Sequence, residues 1–308
     1  SSSNITVVYD VICQAPGFNN PETYSLKGQN GLGKEFVCPQ QTLYRNRTLG
    51  DRPNTPLGVL QPKQQIVIVT TAPNTVVWIT PRCNIVGHPA NITFSVMLPS
   101  AGSAFNCENV VQNTYVPGNN LAGTIVVSDK PIAVTVSDDS VNNIYSPTPE
   151  PGYPSWNNVG CYDLIGDQIV PVDIVGKDYI INMGQLYRTN QLGVNHPGMK
   201  ESAFIVATEN FTQLTINDGG TPITAMLNKG DTYVDTLRQS LTYVHADKNV
   251  YVYHVSGLGC ELGAALLPPL TCAGSNLVAF SRNTPQKFAL NILCKNGSQS
   301  TFTLNGST

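Results

Sequence analysis

Runs of four to six β-branched and apolar residues, each closed by proline, glycine or asparagine, set the rhythm of this chain. IVIVTTAPNTVVWIT, from Ile66, reads as a strand, a turn at Pro73 and Asn74, and a second strand. Ile132, Val134 and Val136 alternate with Ala133 and Thr135, so one face of that strand is apolar and the other lighter. No segment keeps an apolar stripe at helical spacing for three turns. The pattern predicts an all-β chain of short antiparallel strands with long loop insertions.

The same order of signals occurs twice and then begins again. GKEFVCPQQTLYR, from Gly33, matches GKDYIINMGQLYR, from Gly176; IVIVTTAPNTVVWIT matches FIVATENFTQLTI, from Phe204, with Thr71 on Thr208 and Thr75 on Thr212. GTIVVSDKPIAVTVSDD, from Gly123, matches SLTYVHADKNVYVYHVSG, from Ser240, with Asp129 over Asp247 and Lys130 over Lys248. This last stretch predicts a hairpin, with Pro131 heading its second strand, where a missing N–H does least harm. Six or seven strands in about a hundred residues predict tandem β-sandwich-like units. The expected division is an N-terminal segment 1–32, a first unit 33–175 and a second unit 176–274. Residues 275–308 are the start of a third unit or a C-terminal strand addition. The first unit is expected to carry two insertions, one from Cys83 to Cys107 and one, NNIYSPTPEPGYPSWNN, ending at Asn158. The second is too rich in proline to pair throughout and predicts an ordered surface loop.

Composition narrows the function. Only 12% of residues are charged and the formal net charge is -3, which leaves no positive field for a phosphate backbone, so nucleic acid is not an expected partner. No apolar run is long enough to cross a bilayer, so no membrane insertion by this segment is expected. The opening SSSNITVVYD lacks the basic-then-apolar order of a secretion signal, so an exported chain would already have lost its leader. The eight cysteines form no CxxC pair, and an even, widely spaced set favours disulfides in an oxidising compartment. The repeat alignment predicts Cys260 with Cys272, and Cys83 with Cys107 stapling the first insertion. Cys13, Cys38, Cys161 and Cys294 then retain three possible pairings.

The succession GKDYIINM, FIVATENFTQLTI, GTIVVSDKPIAVTVSDDS, GCYDLIGDQIVPVDIVGKDY and GCELGAALLPPLTCAG resembles the IgGFc-binding protein N-terminal domain family, particularly its relatives in surface and secreted proteins of Bacteroidetes-type bacteria. The resemblance covers most of the chain from about Gly31, and the phrase SDKPIAV followed by GDQIVPV is its most specific part. It implies a non-catalytic extracellular β-rich module, often part of a larger adhesin-like or surface-anchored chain. No short motif matches an Fc contact, so it assigns no binding residues.

Catalytic chemistry finds little support. The histidines are His88, His196, His245 and His254. None sits in a nucleophile or metal signature; His254 falls on a strand and reads as a partly buried, hydrogen-bonded residue, while His88 and His196 each precede a proline and read as loop residues. Asp138, Asp139, Asp163 and Asp167 could in principle surround Ca²⁺, but they lack DxDxDG spacing, and solvated turn carboxylates are the expectation. No phosphate-binding glycine loop occurs and no cofactor is expected. The six N-x-S/T sequons, at Asn4, Asn46, Asn91, Asn210, Asn296 and Asn305, are about what chance supplies in a chain this rich in Asn, Ser and Thr. The expected function is cell-surface binding or adhesion toward a protein or glycan ligand, with Tyr145, Tyr153 and Trp156 as the contact loop. The alternative is a structural subunit that binds copies of itself in an extracellular filament or surface layer.

Overall fold

The computed structural model describes residues 7–11, 22–46, 62–110, 116–142, 163–184, 201–258, 261–275, 277–278 and 290–303. Residues 1–274 form one compact unit and 275–308 another. In the first, a short ribbon pairs β1 (Val8–Val11) with β2 (Glu22–Ser25). Each sequence repeat then builds one antiparallel sheet. The first contains β3 (Leu32–Cys38), β4 (Arg45–Asn46), β5 (Gln64–Thr70), β6 (Thr75–Thr80), β7 (Phe94–Leu98), β8 (Ala104–Glu108), β9 (Thr124–Asn142) and β10 (Asp163–Ile169). The second contains β11 (Gly176–Asn182), β12 (Ser202–Ala207), β13 (Thr212–Asn217), β14 (Ile223–Leu227), β15 (Thr232–Thr236), β16 (Leu241–Leu258) and β17 (Glu261–Leu266).

One long strand organises each repeat. Residues 124–128 of β9 pair with β6 and most of β3, whereas 132–142 pair with β5, β10 and β4 and, at 132–133, with the start of β3. In β16 the first half likewise pairs with β11 and β13, the second with β12 and β17. The stretch expected to be a hairpin is therefore a single bent strand. The polar Asp129-Lys130-Pro131 stretch does not turn the chain back: the register on β3 jumps there, from Gly33 opposite Ile132 to Glu35 opposite Val127, and the intervening residues bulge out. A proline in such a bulge forfeits no ladder bond.

The side chains at the bend explain why the repeat retains them. Asp129 accepts a hydrogen bond from the Val76 N–H at 2.8 Å, and Lys130 Nζ donates to the Pro73 carbonyl at 2.6 Å. Asp247 accepts from Gln213 N–H at 2.8 Å, and Lys248 donates to the Asn210 carbonyl at 2.6 Å. The Asp-Lys pair thus clasps the connection from β5 to β6, or β12 to β13, onto the strand with which both flanking strands pair. The sheet folds over at this clasp into two layers. In the second repeat Val244 and Ala246 before the bend, and Val250 and Val252 after it, enclose one core with Leu214, Ile216, Ala203 and Ile205.

The stretch from Cys83 to Cys107, expected as an insertion, contains β7 and β8, which pair as β14 and β15 do in the second repeat. The repeats also part between β10 and β11, yet share a core. β12 is buried on both faces: Ala203, Ile205 and Ala207 fill its own repeat, while Phe204 and Val206 join the first repeat's core together with Tyr251, Tyr253 and Val255. Of residues 290–303, none is in a strand; Gln299–Thr301 forms a 3-10 turn, and Leu290, Ile292, Leu293 and Phe302 are exposed.

Gly33 and Gly176 sit at the two bulges, where a proline presses on the backbone: a Cβ would lie 2.3 Å from Pro171 Cβ in one case and 2.5 Å from Pro269 Cβ in the other. Replacing Gly33 by Ala is expected to destabilise the chain by about 1–3 kcal/mol in urea unfolding. Gly263→Ala, whose Cβ meets nothing within 4 Å, should stay within about 0.5 kcal/mol of the parent. Equal effects would show that this packing does not hold the bend.

Candidate functional site

Tyr145, Tyr153 and Trp156, the expected contact loop, lie outside the described residues, as do Cys13, Cys161, Cys260 and His196. Cys38, Cys83 and Cys107 are buried thiols in the first repeat, Cys272 is exposed and Cys294 half-buried. Burial pushes the Cys83 and Cys107 thiols up to about 12, which makes them poor nucleophiles.

The four aspartates expected to be solvated are not on turns. Asp138, Asp163 and Asp167 stand on the paired strands β9 and β10 and are almost wholly buried. Asp138 accepts from the side-chain amides of Asn46 at 2.6 Å, Gln41 at 2.5 Å and Gln64 at 2.8 Å. Asp163 and Asp167, four residues apart on one face of β10, accept the N–H groups of Leu262 and Leu266, each at 2.8 Å. Lys27 closes the same array with an ion pair to Asp167 at 3.0 Å. These carboxylates act as backbone carbonyls would, tying β17 to a strand with which it shares no ladder. Among the described residues, no group of three or more His, Cys, Asp or Glu is placed to hold a metal ion.

His254 is a buried strand residue bonded to Glu201 at 3.1 Å, as its position in the repeat indicated. His245 and Tyr243 share the Asp178 carboxylate on the outer sheet face, which holds Asp178 below the usual range, the Tyr243 bond being the largest cause. A flat apolar strip lies on the outer face of the first repeat, where Trp78 is opposite Val127 and Met97 is opposite Val76.

A cavity with convergent polar groups lies at the junction of the repeats, a cleft of about 670 Å³. The first repeat contributes Glu35 on β3 and Asp173 in the β10–β11 turn. The second contributes Glu209 and Phe211 in the β12–β13 turn, Lys229 in the β14–β15 turn and Lys248 at the bend of β16. The frame is tied from within. Lys229 Nζ pairs with Glu35, the Lys229 N–H donates to Asn210 Oδ1 at 3.0 Å, Thr208 Oγ1 donates to the Asn249 carbonyl at 2.6 Å, and Asn249 Nδ2 reaches the Val172 carbonyl at 3.1 Å.

Phe211 stands apart on this rim. It is 69% exposed and has φ +56°, in the left-handed region that costs a bulky side chain about 1 kcal/mol or more. The same position in the first repeat is Asn74, φ +52°, a residue suited to that conformation. The turn requires a left-handed residue in both repeats; an exposed aromatic ring is not required by it.

A family model described as IgGFc binding protein matches residues 22–308, almost the whole chain. No curated protein and no solved structure matches it.

The buried carboxyls set the pH response. Burial raises Glu22, on β2 beside Asp163 and Asp167, from 4.5 to about 9, and Asp138 from 3.8 to about 6. Between those bounds the folded state holds a proton that the unfolded state has released, so stability falls as pH rises, with a limiting slope for Glu22 of about 1.4 kcal/mol per pH unit. Urea unfolding is expected to show greater stability at pH 5.5 than at pH 8, and Glu22→Gln should flatten that slope by about one proton. A parent whose stability falls on acidification over this range would contradict the assignment.

Proposed function

Because the chain belongs to the IgGFc binding protein family, we propose that it is a non-catalytic, extracellular protein-binding module that engages its partner at the cleft rimmed by Phe211. Adhesion is its setting when it is displayed at a cell surface. The observation that carries this reading is Phe211: a large apolar side chain held in a costly conformation, facing solvent, beside a cavity with fixed polar groups. A rigid aromatic supplies contact area at little cost in conformational entropy. The filament reading rests on residues 290–303, where four large apolar residues are exposed, and is the weaker of the two.

Phe211→Asn separates a binding role from a structural one. Biolayer interferometry against immunoglobulin Fc and a panel of secreted and cell-surface proteins is expected to find a partner whose affinity falls about tenfold or more in the variant. The thermal midpoint should hold or rise, since asparagine suits the left-handed turn. Unchanged affinity for every partner bound by the parent would remove the cleft from the docking site.

An oxidising location also gives the cysteines a role. We propose that Cys83 and Cys107, both buried, form a disulfide there, with Cys38, which feels charge on Cys107 as Cys107 does that on Cys83, as the competing partner, and that Cys260 and Cys272 form another. Peptide mapping of the natively exported protein under non-reducing conditions should recover both linked pairs. Recovery of Cys83 and Cys107 as alkylated thiols would show that burial alone holds them.

A further inference from the structure

The charges around the cleft are unequal once their internal partners are counted. Lys229 is committed to the Glu35 carboxylate and Lys248 to the Asn210 carbonyl, so both ammonium groups are fixed by the chain itself. Asp173 and Glu209 are exposed, and neither makes an ion pair among the described residues. The cleft therefore sets the two unpaired carboxylates against the single uncompensated ammonium of Lys248, a net negative charge, beside one exposed ring on a cavity of about 670 Å³.

Resting on the reading of this cleft as the docking site, we propose that it takes a basic side chain of the protein partner, arginine in preference to lysine, lodged between the Phe211 ring and the carboxylates of Asp173 and Glu209. An aromatic face attracts a cation, and a carboxylate beside it supplies the counter-charge. Arginine fits better because its planar guanidinium can stack on the ring while its N–H fork donates two parallel bonds to a carboxylate, a geometry that the compact ammonium, with no plane to stack, does not reproduce. An acidic partner segment would meet a rim of net negative charge, and this like-charge repulsion favours a basic one. Lys229 is neutralised by Glu35, and Lys248, held at the Asn210 carbonyl, keeps its charge, so the two free carboxylates outweigh one ammonium.

The test uses the whole chain with ¹³C-labelled phenylalanine and reads the Phe211 ring resonances during titration. The probes are acetyl-Gly-Arg-Gly-amide, its lysine and glutamate counterparts, and cellobiose as a neutral sugar. The arginine peptide is expected to shift the Phe211 ring, the lysine peptide more weakly, and the glutamate peptide not at all. Asp173→Asn with Glu209→Gln should weaken the arginine response about tenfold, and added salt should weaken it in the parent. Both replaced residues are exposed, so an unchanged thermal midpoint will show that the variant is folded. A ring shift by cellobiose or the glutamate peptide equal to that by arginine would overturn the ligand class while leaving the cleft as the docking site. No response to the arginine peptide up to its solubility limit would overturn the proposal, and the Phe211→Asn affinity result would then judge the cleft separately.

Discussion

The bend in β9 and β16 is the constraint on which the rest of the structure depends. A strand of 19 or 18 residues lying flat would leave one wide apolar face in water; bent at an Asp-Lys pair, it serves two layers and closes a core between them. The clasp is polar and local, while the force it directs is the burial of Val, Ile and Leu on both sides of the bend. Glycines at positions 33 and 176 let a proline close over the bulge from the end of each repeat, so the first and last elements of a repeat meet at its hinge.

Fusion of the repeats follows from the same geometry. The layer of the second repeat that carries β12 and β17 buries its outer face on the first, and the carboxylates of Asp163 and Asp167 satisfy N–H groups of β17. The junction carries a cleft where the β12–β13 turn, clasped by Lys248, projects Phe211. The turn is fixed for the sake of the fold, and the residue that departs from what it prefers, Phe211, is exposed on the rim of the cleft.

The strand content, the repeat and the family resemblance were legible because they are local or self-similar signals. The Asp129-Lys130 match to Asp247-Lys248 was visible, but a bulge and a hairpin turn use the same polar and proline residues, and only pairing with β3 and β6 distinguishes them. The burial of Asp138 and Asp163 was not legible: Gln41 lies 97 residues from the first and Leu262 lies 99 from the second, and no local pattern announces a donor at that distance. Phe211 was within reach of the sequence. The alignment of Thr71 with Thr208 and Thr75 with Thr212 sets it over Asn74, a residue that marks a left-handed turn, and the mismatch of types at such a position is the signal.

The most direct test is site-specific photocrosslinking on the protein made in its native host, with benzoyl-phenylalanine in place of Phe211 and, separately, in place of Trp78 on the apolar strip of the first repeat. The account predicts a discrete protein adduct from position 211 and none from position 78. An adduct from position 78 alone would contradict it and move the docking surface from the cleft to the outer sheet face.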